Sequence, residues 1–378
     1  MAKTVLKTHD DLVDFVQGCL LLGTGGGGNP AEGLKALEEQ FDAGKEISWV
    51  EREDLPAGTY AACTFLMGST APLSDEKIAQ MHTLGLNDWL YPRNLPLTTA
   101  FLQEYTGKTI SALIPLEIGG SNMPAPVAAA ATLGISALNG DFAGRAVPEI
   151  TQGVAVANGV SITPYTCVDK WGNRCIVEST INMDMSERVG KLISDASFGS
   201  TAICGMLIPV EELPGKYVPN TMAEALDCGR IIRREQAAGR PIADAVCREF
   251  GAYKLFSGKI VEKPWEDREG YYWGSHILEG TGEFAGHRAE VVFKNENHLF
   301  YYDGELVATS PDLIMNVNER LNASCRNEDL VVGDMLTVLG RACKKELRES
   351  AMLKTLEPRH FGVDRDYEPI EKGVLKMK

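Results

Sequence analysis

Several things are missing from this 378-residue sequence, and each absence narrows its reading. No apolar run approaches the length that spans a bilayer. No Cys-x-x-Cys occurs among the nine cysteines, so neither a zinc ribbon nor a thioredoxin-like motif is present. The six histidines form no His-x-His and no His-Glu-x-x-His pattern. A basic surplus is missing too: 37 Lys and Arg against 52 Asp and Glu leave a net charge of −15. That balance argues against nonspecific binding to nucleic acid or to an anionic membrane. There is no long linker, internal repeat or low-complexity tract. The start, Met1-Ala2-Lys3-Thr4, leads into a polar helix-like segment rather than an apolar signal core. Free, widely spaced thiols then point to a reducing cytoplasm.

What is present is ordinary in amount and patterned in order. The apolar fraction, 44%, is that of a soluble globular protein. The length favours two domains. Thr8 to Asp11 reads as a helix start, with Leu12, Phe15, Val16 and Cys19 at helical spacing. That helix runs into Gly23-Thr24-Gly25-Gly26-Gly27-Gly28-Asn29-Pro30, where Asn29 and Pro30 open a second helix. Strands are expected at 47–50, 59–67 and 109–116, and a short apolar run at 135–138. Helical stretches lie between them, one starting near Ser74 and broken around 91–96. Three of these strands end in polar or glycine-rich loops, at 68–72, 117–122 and 139–149. Alternation of this kind predicts an α/β fold with a mostly parallel sheet flanked by helices, its loops gathered on one edge.

The second half reads differently. A hairpin turning at Gly172-Asn173 is followed by helices over 186–196 and 222–250, the latter split at Gly239-Arg240-Pro241. From Tyr253 to Ala308 the pattern is β-rich, and the tail beyond Glu357 is charged and irregular. The expected division is an N-terminal α/β domain over 1–166 and a C-terminal β-rich α+β domain over 167–378.

The candidate chemistry sits in the loops. Residues 139–149 bring Asp141, Arg145 and Glu149 together behind an apolar strand. Asp141 and Glu149 are candidate general bases or metal ligands, and Arg145 offers a planar fork for an anion. The plainer reading is a structural brace, since arginine–carboxylate pairs are common in scaffolds. Glu117, with Asn122 five residues on, forms a second loop of this kind. Gly25, Gly26, Gly27 and Gly28 leave backbone N–H groups at a helix start, suited to a carboxylate or phosphate. The run is not a Walker A motif, and Gly23-x-Gly25-x-x-Gly28 is a poor dinucleotide fingerprint after a helix. Cys167 is either a buried hydrophobe or a thiolate for a soft metal. His276, His287 and His298 lie in the β-rich segment, where they could converge with Asp303 or Asp312. Asn295-Glu296-Asn297-His298 is unusually polar for a strand.

Taken together, Leu22 to Pro30, Glu117 to Asn122, the 139–149 motif, Phe293 to Asn297 and Ser310 to Ile314 resemble the S-methyl thiohydantoin desulfurase family. The match is spread over most of the chain. The resemblance implies the two-part architecture above and desulfuration of a thiohydantoin ring, with zinc as cofactor. It also implies a possible hydantoinase partner. From the residues themselves, Asp141, Glu149, Glu117 and Arg145 are the expected catalytic group. Gly25–Gly28, Asn122 and Arg145 are the expected substrate binders. Cys167, Asp141, His276 and His298 are the expected metal donors. The rival readings are a hydrolase of oxygen hydantoins or related cyclic ureides, a non-catalytic hydantoinase subunit, and a nucleotide-binding enzyme. A homo-oligomer is compatible with all of them.

Overall fold

The computed structural model describes residues 3–68, 73–90, 93–268 and 270–377. The expected loop at 69–72 lies outside the described residues, as does part of the break at 91–96. Local signals were read correctly at the first two helices. Thr8 caps His9–Leu22 in a reciprocal capping box with Asp11, and the Asn29 side chain caps Pro30–Asp42 with Pro30 in its first turn.

The first sheet has eight strands. Their spatial order is Thr4–Leu6, Ile47–Val50, Ser136–Leu138, Ile110–Ile114, Tyr60–Gly68, Ser200–Pro209, Tyr165–Asp169 and Arg174–Val177. The four from Ile47–Val50 to Tyr60–Gly68 are mutually parallel, and the outer strands join antiparallel. The parallel strands therefore end on one edge, which places 117–122 and 139–149 side by side. The last three strands come from beyond residue 164, so the later chain completes this sheet.

The second sheet is antiparallel. It is built on Tyr253–Glu262, Tyr271–Gly280, Arg288–Lys294, Glu296–Tyr302, Glu305–Thr309, Leu313–Asn318 and Met335–Arg341. The two sheets share a core. Along Leu313–Asn318, side chains alternate between faces. Leu313, Met315 and Val317 join the core of the first half, while Ile314 packs with Leu255, Phe256 and Val338 on the other face. The helices His9–Leu22 and Thr221–Ala237 cross at near-backbone contact. A Cβ on Gly18 or Gly229 would sit 1.7 Å from the opposing backbone oxygen of Ala225 or Asp14. The tail is more ordered than its composition suggests: Tyr367 and Ile370 are tied to the fully buried Asp312.

Candidate active site at the junction of the two sheets

Arg288–Lys294 and Glu296–Tyr302 form a hairpin that turns on one residue, Asn295, with φ +58°. Asparagine tolerates that left-handed conformation. It is held there by paired bonds with the Tyr272 backbone, each 2.8 Å. The turn places Lys294 and Glu296 opposite each other at the hairpin tip. The tip meets the glycine loop and the 139–149 loop of the first half.

The glycine loop is packed on all sides by protein. A Cβ on Gly26 would lie 2.0 Å from Glu296 Oε1, and one on Gly25 would lie 2.6 Å from Asn327 Nδ2. Gly27 sits against Gly119, and its carbonyl accepts from the Ser121 and Asn122 amides. The neighbour that fills the groove at Gly26 is thus the chain's own Glu296 carboxyl.

Arg145 is fully buried. Nε donates to Ala146 O (3.0 Å) and Nη1 to Asp312 O (3.2 Å). Nη2 donates to Thr24 Oγ1 (3.1 Å) and Asn297 O (2.6 Å). One guanidinium therefore joins the glycine loop, its own loop, the strand Glu296–Tyr302 and the turn just before Leu313–Asn318. Around it lie Glu117 and Glu296. Burial and the neighbouring Glu117 charge push Glu296 well above the usual carboxylate range. Burial likewise raises Glu117 to about 7, against the pull of Asn122 and the Val147 amide. Those two partners donate to Oε1 (2.5 Å) and Oε2 (2.6 Å). Asp141 is also fully buried. Its Oδ1 accepts from the Ala143 (2.7 Å) and Gly144 (2.5 Å) amides, while Oδ2 lacks a well-formed partner. Burial raises Asp141 to about 7, partly offset by the nearby Thr221 hydroxyl and the two amides. A cavity of about 10 Å³, room for about one water, lies between Gly144 and Thr221 on one side and Arg341 and Lys344 on the other.

Glu149 occupies a different position. It is partly open, and its Oε1 is paired with Lys294 and with His360 Nε2 (3.3 Å). Burial alone would raise its pKa, but His360 and Lys294 hold it at about 2. Lys294 is 8% exposed, and its ammonium also lies 4.2 Å from the centre of the Tyr271 ring. Tyr271 Oη is 3.0 Å from Glu187 Oε1, and Glu187 Oε2 accepts from the Ile150 amide (3.1 Å). The result is a charged cluster that joins both halves and the C-terminal segment.

The expected metal donors do not come together. Cys167 faces Cys175 across a strand pair, and burial lifts its thiol to about 12. His276 belongs to an amide ladder. Asn297 Nδ2 donates to Ile314 O, Asn316 Nδ2 to Asn327 Oδ1, and Asn327 Nδ2 to Asn295 O. Asn327 Oδ1 is therefore an acceptor, and His276 Nε2–H donates to it (3.0 Å). Burial holds His276 neutral, with its pKa near 4. His298 stacks on Phe361 at 3.8 Å and pairs through Nδ1 with Ser310 Oγ. His287 pairs instead with Asp303 at the surface (2.6 Å). Asp312 accepts from the Cys343 amide, Arg348, Tyr367 and the Ile370 amide. Among the described residues no group of three or more His, Cys, Asp or Glu is arranged to hold a metal ion. These donors do not fit zinc as a set.

Of the residues singled out from sequence, Glu117, Asn122, Asp141, Arg145 and the glycines lie at the junction, and Glu149 pairs with Lys294 and His360 beside it. Lys294, Glu187 and Tyr271, which the structure brings to Glu149, carry no motif that sets them apart in the sequence. The only signal for Lys294 and Glu296 was the polar run at the hairpin tip.

Fold and site together define a two-sheet protein whose ionisable groups are concentrated where its halves meet. Family models described as the S-Me-THD-like N-terminal and C-terminal domains match residues 10–179 and 181–370. The chain belongs to that family, the one its sequence resembles. A crystal structure of a protein from Chromobacterium violaceum is similar over 98% of this chain and 100% of that one. It is 20% identical, with a TM-score of 0.79, and so speaks for the fold. No curated protein matches. Among the described residues, no helix is long and apolar enough to cross a membrane.

Proposed function

We propose that the protein hydrolyses the carbon–sulfur bond of a thiohydantoin or S-methyl thiohydantoin, giving a hydantoin and sulfide or a thiol. Family membership supports the substrate class. The observation that carries the chemistry is the Glu149–Lys294–His360 cluster: a carboxylate held ionised beside a lysine and a histidine, with Glu149 and His360 partly exposed and Lys294 nearly buried.

In the S-methyl form, the ring carbon bearing sulfur is doubly bonded to a ring nitrogen. Water adds to that carbon, and the nitrogen takes one of its protons. The carbon–sulfur bond then breaks. Lys294 gives a proton to the departing sulfur and regains one from the hydroxyl that becomes the carbonyl. Glu149, held ionised, orients the water and positions Lys294. Substrate plus water thus balances hydantoin plus methanethiol. Glu117 and Asp141 titrate near neutrality, which suits proton transfer. Their full burial supports a role in holding the loop that presents Glu149 rather than in meeting the substrate.

The test is thiol release from 2-thiohydantoin and S-methyl thiohydantoin, followed with a thiol-reactive dye. Glu149→Gln is expected to lower kcat/KM by about 100-fold or more. Absence of thiol release, with ring opening of an oxygen hydantoin instead, would favour a cyclic ureide hydrolase.

A further inference from the structure

The small cavity beside Gly144 and Thr221 is where two buried polar atoms are left over. Asp141 Oδ2 and Thr221 Oγ1 are both buried, and neither has a hydrogen-bond partner among the described residues. A buried polar atom left in that state is costly. Thr221 lines the cavity, and so does Gly144, whose amide holds the other oxygen of the Asp141 carboxyl at 2.5 Å. Asp141 is thus in reach of two residues of the cavity wall. The space suits about one water, which needs at least two polar partners. Glu224 supplies a third at the mouth. It lines the cavity and pairs with Lys344 and, at 3.2 Å, with Arg341. These three side chains are each about a quarter exposed, so solvent is one ion pair away. The ionisable groups around Asp141 are Lys344, Glu117 on the neighbouring loop, Cys19 near the end of the first helix and Cys63 on the strand Tyr60–Gly68. Glu117 and both thiols are buried, so the way out is on the side of Lys344 and Glu224.

We propose that this cavity holds one water bridging Asp141 Oδ2 and Thr221 Oγ1 to Glu224, and that this water is the path by which the buried aspartate exchanges its proton with solvent. One proton passes from Oδ2 to the water while another leaves the water for a Glu224 oxygen and then for solvent. The water itself is unchanged. Thr221 positions it. The site stands whatever bond the enzyme breaks, because it concerns the loop that carries Asp141 and Glu149 and not the substrate.

Infrared spectroscopy in heavy water, read beside a crystal structure, tests it. At about pH 6 Asp141 keeps its proton, and its carboxyl band is the one missing from Asp141→Asn. On transfer to heavy water that band is expected to shift ahead of the amide exchange of the surrounding core. Thr221→Val removes one partner of the water at nearly constant volume and slows the shift about tenfold, the scale of one hydrogen bond. Thr221→Ser keeps the hydroxyl and the rate. Ala342→Val fills the cavity from the side of Arg341 and slows the shift as well. Thermal melts of each variant show that it folds. The crystal structure is expected to hold one water within hydrogen-bond distance of Oδ2 and Oγ1. A direct bond between Asp141 and Thr221 with no water beside them overturns the proposal. So does a band that shifts only with the core amides, or one that shifts as fast in Thr221→Val and Ala342→Val as in the unaltered protein.

Discussion

Replacing Arg145 with methionine asks whether that guanidinium holds the molecule together or serves the substrate. The side chain makes four hydrogen bonds, to Ala146, Asp312, Thr24 and Asn297, and none of its surface is exposed. Hydrogen bonds from a charged donor contribute roughly 1.5–3 kcal/mol each, so four would suggest about 6–12 kcal/mol. Desolvating a guanidinium offsets several kcal/mol of that. Methionine recovers the packing but leaves three carbonyls and one hydroxyl without their donor. A net loss of about 3–5 kcal/mol is expected, the usual cost of removing one partner from a buried charged network. Against a total stability of roughly 5–15 kcal/mol this is severe. Arg145→Lys keeps the charge without the fork, and should fall between. Urea unfolding is the assay, read both by far-UV circular dichroism and by tryptophan fluorescence. Two probes are needed because a chain with two sheets need not unfold in one step. Removing the positive charge also raises Glu117 and Glu296 further, since it is one of the influences that lower each of them. A loss under about 1 kcal/mol would refute the reasoning. A large rise in KM with stability preserved would do so more pointedly, because it would place the guanidinium on the substrate.

Two other outcomes follow from the junction. Asp141 has a folded-state pKa raised from 3.8 to about 7, so the native protein keeps a proton that the unfolded chain has lost. Its contribution to stability is full below the unfolded value and declines as pH rises through about 7. Asp141→Asn should flatten the pH dependence of the urea midpoint over that window relative to the unaltered protein; an unchanged slope would count against a buried, titrating Asp141. Gly26→Ala places a methyl 2.0 Å from Glu296 Oε1 and 2.8 Å from its Cγ, and must displace that side chain from the glycine loop. It should cost about 1–3 kcal/mol of stability and lower activity at once, whereas a neutral effect on both would mean the tip is not seated against the loop.

Much of the architecture was legible because it is local. Capping residues, glycine and proline punctuation, and apolar periodicity located the first two helices, the parallel strands and the β-rich second half. The convergence of 117–122 with 139–149 was legible for a related reason: parallel strands must end on the same edge. The roles of the residues there were not. Arg145 reads as an anion fork or a brace from sequence alone. Its four partners lie at positions 24, 146, 297 and 312, and only the packed structure shows that they take up its donors. The histidines could not be placed, because which strands pair, and in what register, depends on contacts far apart along the chain.

The sequence by itself determined the fold class, the helix starts, the loops on the sheet edge and the family resemblance, since each rests on neighbouring residues or on motif order. Tertiary structure alone decided that Glu296 fills the glycine groove. It also decided that Glu117 and Asp141 titrate near neutrality while Glu149 stays ionised. The physical reason is desolvation. A carboxyl group carries no mark in the sequence of how much water it will lose, and here burial, together with the charges the second sheet brings up, separates three acids of the same loops into different protonation states.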